Sequence, residues 1–305
     1  MANSGRNLTG TLPRLLQLGI DKEIEHFKKA YVGPYSELFE SVSTEKGFFE
    51  VVTLAGMGPA SRRNEGQVIT NFDSINQESN PRFTIYTYEK AARASMEAIA
   101  DNLYESLVSR MAECIATSQE VRKDIECATI LNSATATNLY DGVPLLSTAH
   151  AVQAGGTYSN RLSPDLDLSL DAVQQAIILV GQMVNPDGLL GDYTPDKLVV
   201  PLQLKFVADI VLNSKYKPGS GNNDINPVNR RGDVRDYMEW RRLTNATTWF
   251  ITTNQRSTGL IIAERQGIDT KTFEDNFTHD TIVNSWCRFR PLVADSRAVV
   301  GSVGP

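Results

Sequence analysis

Residues 83–141, FTIYTYEKAARASMEAIADNLYESLVSRMAECIATSQEVRKDIECATILNSATATNLYD, contain neither glycine nor proline. Within them Met96, Ile99, Leu103, Leu107, Met111, Cys114, Val121, Ile125 and Ala128 recur at helical spacing along one stripe, the pattern of a helix with a single apolar face. The spacing predicts one helix from Ala94 to Asn132, on the order of 58 Å long at 1.5 Å per residue, several times the globular mean. Such a helix is a beam. It carries seven acidic residues (Glu97, Asp101, Glu105, Glu113, Glu120, Asp124, Glu126) and three basic ones (Arg110, Arg122, Lys123). Its exposed side therefore reads as acidic, the ordinary solvated face of an amphipathic helix.

Upstream, two β-prone runs, FFEVVTLA at 48–55 and RFTIYTYE at 82–89, are separated by about 25 residues rich in Gly, Asn, Ser and Arg. Loops beyond about 15 residues are uncommon in compact domains unless they serve a function, so the pair reads as a protruding hairpin. Residues 1–47 mix six acidic with six basic residues and contain a helical stretch at Asp21–Ala30 ended by Gly33-Pro34; they read as an extended arm.

Downstream of the beam lies a turn-rich passage, DGVPLLSTAHAVQAGGTYSNRLSPD at 141–165. An amphipathic helix follows, capped by Ser169 or Asp171 and running to Met183 before the stop at Asn185-Pro186-Asp187-Gly188. A buried strand at Lys197–Pro201 and a helix in LQLKFVADIVLNS make an α/β unit. The polar stretch PGSGNNDINPVNRRG, 218–232, reads as an exposed loop. TTWFITT, GLIIAE, Ile282–Arg290 and Ser296–Val303 read as strands, giving an α+β chain.

Composition bounds the function. The 305 residues are 41% hydrophobic and 22% charged, which excludes disordered and collagen-like classes. A formal net charge of −6 argues against a reader of DNA sequence, which needs clustered Lys and Arg. Three cysteines without a CxxC pair, with Cys114 and Cys127 on nearly opposite faces of the predicted helix, form no disulfide framework and suit a reducing setting. No signal-peptide core and no uncharged apolar run long enough to span a membrane occurs. Sequons at Asn7 and Asn245 carry no weight without a secretory route.

The chemical motifs are weak. Ser147-Thr148-Ala149-His150 puts a hydroxyl near an imidazole, but sequence proximity is not the geometry of a nucleophile and its base, and no GxSxG elbow occurs. Asn222, Asn223, Asp224, Asn226 and Asn229 offer oxygens to a hard cation without the spacing of an EF-hand loop. No zinc pattern and no phosphate-cradling glycine loop is present. The expectation is a protein without catalytic, cofactor or metal residues. The layout of arm, long excursion, beam and α/β half leaves surfaces whose ordering costs roughly 1–2 kcal/mol per residue. Neighbouring copies are the economical cover, because repeated heterologous contacts close into rings or shells.

That order resembles the HK97-fold major capsid proteins of tailed bacteriophages, and more closely the Mu-like major head subunit group. The resemblance runs over most of the chain. It rests on Asp141–His150 followed by Gly155-Gly156 and Ser159-Asn160, on Pro195–Pro201, on Ala208–Ser214, on Asn223–Pro227 and on Trp249-Phe250. It implies an N-terminal arm (1–47), an extended hairpin called the E-loop (48–88) and a peripheral domain (89–140) with its spine helix at 94–132. It further implies an axial domain (141–270) and returning peripheral strands (271–305). It also implies hexamers and pentamers closing into an icosahedral shell around double-stranded DNA, in a virion assembled in the host cytoplasm without a membrane. Scaffold, portal and decoration proteins are the implied partners.

Some relatives join neighbours through an E-loop lysine. Between Gly47 and Glu89 this chain has no Lys, and Arg62 and Arg63 cannot replace an amine nucleophile because guanidinium stays protonated. A non-covalent shell is expected, with Arg62, Arg63 and Glu65 in intersubunit ion pairs and the acidic spine turned toward the genome. The stretch Lys215–Arg242, seven basic and four acidic residues, is expected to contact the next subunit through Arg230 and Arg231. The alternatives are an encapsulin-like compartment shell and a cytosolic α/β hydrolase using Ser147 and His150.

Overall fold

The computed structural model describes residues 33–54, 56–57, 60, 62–66, 68, 77–95, 97, 104–217, 224–234 and 236–304. The helix expected at Asp21–Ala30, and with it most of the arm, lies outside the described residues. Along the first half run β1 (Glu40–Ser43), β2 (Phe48–Glu50), β3 (Thr53–Leu54), β4 (Gln77–Ser79), β5 (Arg82–Thr84), β6 (Tyr86–Ala94) and the helix α1 (Tyr104–Asn132). There follow β7 (His150–Ala151), β8 (Thr157–Tyr158), α2 (Leu170–Gly181), β9 (Pro195–Val200), α3 (Lys205–Asn213), α4 (Pro227–Arg231), β10 (Asp236–Glu239) and β11 (Trp249–Thr253). The chain ends with α5 (Arg256–Gly259), β12 (Leu260–Glu274), β13 (Thr281–Val293) and β14 (Val299–Ser302).

Two four-stranded sheets organise these elements, one ordered β1-β12-β13-β6 and the other β10-β9-β11-β14. Along Leu198–Val200 of β9 and throughout β11 and β14 the second sheet is buried on both faces, which is why the text there is continuously apolar or small rather than alternating, while the edge strand β10 is mostly polar. Leu198, Val200, Trp249, Ile251 and Val300 point to one core, against Val173 and Ala176 of α2 and Ala208 and Val211 of α3. Val199, Phe250 and Val299 point to the other core, against Cys127, Ala128 and Leu131 of α1 and Leu260, Ile262 and Phe289 of the first sheet. The second sheet is thus the partition between the two cores, and α1 ties it to the first sheet.

Several expectations change. The beam does not begin at Ala94, which ends β6 opposite Thr281. The helix formers Ala91, Ala92 and Ala94 are held extended because β13 offers a whole edge of backbone partners, a tertiary demand that outweighs propensity. RFTIYTYE is not one strand. Its first part, β5, pairs with β2 and its second, β6, joins the four-stranded sheet, with Ile85 buried at the break. The excursion is therefore closed at its base by β2–β5 and further out by β3–β4. Residues 33–43 do not lie apart as an arm: Tyr35, Leu38 and Phe39 are in the core beside α1, and β1 runs parallel to β12. Of the last two strands, β13 joins the first sheet but β14 pairs with β11 in the second, because Val299 and Val300 fill opposite cores.

The apolar stripe is also rotated. The inward face of α1 is Ala112, Ile115, Ala116, Gln119, Glu120, Lys123, Asp124, Cys127, Ala128 and Leu131. Of the predicted stripe Ala128 is fully buried, Met111, Val121 and Ile125 are half-buried and Cys114 is exposed. In 218–232 the expected loop contains α4, whose N-cap Asn226 accepts from Val228 N and Asn229 N.

Candidate assembly surfaces

The polar residues on the inner face of α1 are fasteners. Gln119 Nε2 donates to Ser285 O at 3.3 Å, and its Oε1 accepts from Cys287 Sγ at 3.0 Å. Tyr35 OH donates to Glu120 Oε2 at 2.6 Å, and Lys123 Nζ lies 2.8 Å from Glu264 Oε1. Asp124 accepts from Trp240 Nε1 and Arg242 Nε, each at 2.9 Å. Burial alone would lower the Lys123 pKa, but Glu120 and Glu264 together hold it above the usual lysine value. Burial, reinforced by Asp124, pushes the Cys127 thiol up, so it packs as an inert small hydrophobe. The expected acidic face is corrected accordingly. Glu120, Asp124 and Lys123 are buried and paired, Arg122 pairs with Glu126, and of the described acidic side chains Glu97 and Glu113 face solvent. Asp101 lies outside the described residues.

The turn-rich passage forms a second knot, at the joint between the two cores. Asn160, fully buried, donates from Nδ2 toward Leu145 O, Ser296 O and Val299 O at 2.6, 3.0 and 3.1 Å, while its Oδ1 accepts from Ser147 N at 2.9 Å. His150 Nδ1 sits 2.5 Å from Asp141 Oδ2, and Nε2 lies 3.2 Å from both Leu145 O and Asn160 Oδ1. Tyr158 stacks on the imidazole and its OH is 2.6 Å from Ser296 Oγ. The backbone of Asn160–Leu162 pairs with Gly301 and so covers the outer edge of β14, the usual protection of an unpaired strand. Ser147 Oγ accepts from Ala149 N at 3.2 Å and is not joined to His150. Asp141, His150 and Asn160 thus hold a fold. The hard-cation reading loses Asn226 and Asn229 as well: the Asn226 side chain caps α4 and bonds Val211 O at 2.8 Å, and Asn229 bonds Leu212 O at 2.7 Å. Asn222 and Asn223 lie outside the described residues.

The residues expected at intersubunit contacts all lie on the surface. Arg62, Arg63 and Glu65 are exposed in the excursion beyond β3. Arg230 and Arg231 are exposed at the end of α4, where Arg231 Nε pairs with Asp233 Oδ2 at 3.0 Å. The two groups belong to different elements and the structure does not bring them together within one molecule. Sequence reasoning missed the fasteners Gln119, Glu120, Asp124 and Asn160; for Asn160 the signal was present, since it closes the same motif as Asp141 and His150. Among the described residues no helix is long and apolar enough to cross a membrane.

Residues 79–302 match the family model described as phage capsid protein. No curated protein matches the chain. Among solved structures it is similar to the virus-like particle from Pyrococcus furiosus, at 10% identity and TM-score 0.53 over 93% of this chain and 98% of that one. It is also similar to the procapsid of bacteriophage JBD30, at 12% identity and TM-score 0.52 over 97% and 76% of the two chains. The mature capsid of bacteriophage PhiM1 matches at 15% identity and TM-score 0.54 over 89% and 86%. At such identities the likeness is one of fold, HK97-like with mixed helices and strands, while the family model spans well over half of the sequence. The chain belongs to the phage capsid protein family.

Proposed function

We propose that this chain is the major head subunit of a tailed phage, self-assembling through hexamers and pentamers into an icosahedral shell around double-stranded DNA. The observation that carries the reading is the excursion itself: its base packs Phe49, Val51 and Phe83 against Ile85, Ile261 and Leu292, while beyond β2–β5 it leaves Val52, Met57 and Val68 exposed, within a chain of the capsid family. Those outer apolar residues find no cover in this molecule among the described residues, and a neighbouring copy supplies it. In this reading the arm of 1–47 is anchored at its end by β1 in the first sheet, and the E-loop of 48–88 ends at Ile85, where β6 joins that sheet. The peripheral part with the spine is 89–140 and the axial part 141–270, and of the returning strands in 271–305 β13 belongs to the first sheet and β14 to the second. Assembly takes place in the host cytoplasm with scaffold, portal and decoration proteins, and the DNA is met by proximity rather than by a specific site. The subunit has a structural rather than a catalytic role.

Arg62, Arg63 and Glu65 make ion pairs with the adjacent subunit, and the shell is non-covalent because the excursion has no lysine. Negative-stain microscopy and sedimentation of the purified protein test the main reading: closed shells or capsomer rings are expected, and a solitary monomer at high concentration overturns it. Denaturing gels of the particles should show a single subunit band, and covalent ladders would refute the non-covalent shell. The likeness to the Pyrococcus furiosus virus-like particle over nearly all of that chain favours a second reading, a compartment filled with protein; nuclease-protected DNA inside purified particles excludes it.

A further inference from the structure

The helix layer over the second sheet is unfinished on its outer side. α3 buries Ala208, Val211 and Leu212, and the opposite side of the same run turns Leu202, Phe206 and Ile210 to solvent, 48, 75 and 51% exposed. Phe206 and Ile210, four residues apart, lie on one side of α3, with Leu202 in the 3-10 turn just before the helix and Val207 beside them. Monomeric proteins rarely leave such a contiguous apolar row in water. On the same layer a groove of about 300 Å³ runs between α2 and α4, lined by Ile177, Ile178, Pro227 and Val228, with Arg231 and Asp233 at its mouth. Ile178 is itself exposed.

The two surfaces differ in charge. Beside the row stands Asp209, held by the Asn213 amide at 2.6 Å and in no ion pair among the described residues. Lys205, also on α3, is already neutralised by Glu239 at 2.6 Å. Beside the groove stand Arg231, paired with Asp233, and Arg230, which has no ion-pair partner among the described residues. Held side by side on one packed layer, the row and the groove cannot meet within a molecule.

We infer that the α3 row of one subunit docks into the α2–α4 groove of a second copy of this chain, with Asp209 facing Arg230. The inference rests on the shell reading and deepens it by naming a surface through which subunits join. An apolar ridge and an apolar groove on one chain, with opposite charges at their edges, give a copy-to-copy contact its register as well as its area.

Sedimentation velocity and negative-stain microscopy of the full chain test it, with wild type beside Phe206→Asp, Ile178→Asp, Asp209→Arg, Arg230→Asp and the double exchange Asp209→Arg/Arg230→Asp. Phe206 and Ile178 lie outside the cores, so circular dichroism and the melting temperature of the unassembled subunit should be unchanged. The expected result is assembly by wild type, folded unassembled subunits for Phe206→Asp and Ile178→Asp, at least tenfold weaker assembly for each single charge reversal, and recovery in the double exchange. Assembly of Phe206→Asp or Ile178→Asp at wild-type concentration overturns the docking while the shell reading stands. A double exchange no better than its single reversals overturns the pairing of row with groove. A wild type that never assembles overturns the shell reading itself.

Discussion

Replacing Asn160 should destabilise the subunit by an amount whose pH dependence differs between two replacements. Its Nδ2 group faces three backbone carbonyl oxygens at 2.6, 3.0 and 3.1 Å, and Oδ1 accepts from Ser147 N at 2.9 Å, all in a fully buried setting. Asn160→Ala removes hydrogen bonds with a net value of about 0.5–1.5 kcal/mol each and strands buried partners at about 1–3 kcal/mol. A total of roughly 3–5 kcal/mol follows, a large part of a typical domain's stability. Asn160→Asp keeps the shape but sets an oxygen where the amide hydrogens met those carbonyls. An ionised carboxylate there would face acceptors, so the folded state must bind a proton, and the introduced group's folded pKa rises above its unfolded value of about 3.9. Above that pKa the folded state binds more protons than the unfolded state, so stability falls as pH rises. Proton uptake costs roughly 1.5 kcal/mol at pH 5 and roughly 4 kcal/mol at pH 7. The neutral carboxyl still donates to one carbonyl, so Asn160→Asp should be more stable than Asn160→Ala at pH 5 and should lose about 2.7 kcal/mol relative to it by pH 7. Urea unfolding of the unassembled subunit at both pH values measures the difference. A difference between the two variants that stays flat from pH 5 to pH 7 refutes the reasoning.

Gly301→Ala should cost about 1–3 kcal/mol by overpacking, because a Cβ there would lie 2.8 Å from Trp249 O and 2.9 Å from Phe250 Cδ1; calorimetry would record a melting temperature lower by several degrees. Asp124→Ala should leave the buried Trp240 indole N–H without its acceptor, a cost of about 1–3 kcal/mol, with a smaller share from the partly exposed Arg242; urea unfolding followed by tryptophan fluorescence reads it. The hydrogen bond from Arg161 holds the Asp165 carboxyl below its ordinary range, against an opposing effect of burial. Its folded pKa is depressed, so its contribution is complete above the unfolded pKa and is lost as pH falls through the lower folded one. Acid unfolding of Asp165→Asn should therefore lose less stability between pH 5 and pH 2 than wild type, and equal losses would contradict that account.

The parts of this fold that were legible in the sequence are those that local chemistry decides. Ser169 caps α2 as read, accepting from Ala172 N at 3.2 Å, and α1 ends at Asn132 as read. The buried strand read at Lys197–Pro201 is β9, which runs Pro195–Val200, and the strand read in TTWFITT is β11. What stayed hidden depends on partners distant in sequence. Nothing between residues 86 and 94 announces that β13 will claim them, since their alanines suit a helix equally well. Hydropathy periodicity assigns Gln119, Glu120, Lys123 and Asp124 to the water side because it has no term for Ser285, Tyr35, Glu264 or Trp240. These polar groups are buried because each meets a fixed donor or acceptor, and a slip of α1 by one turn would strand all of them at about 1–3 kcal/mol apiece. An apolar face of alanines and leucines would tolerate such a slip far better. The misread face is therefore the one that fixes the register of the beam against both sheets. A reading of surfaces for assembly then has to start from the side of α1 that these fasteners leave outward.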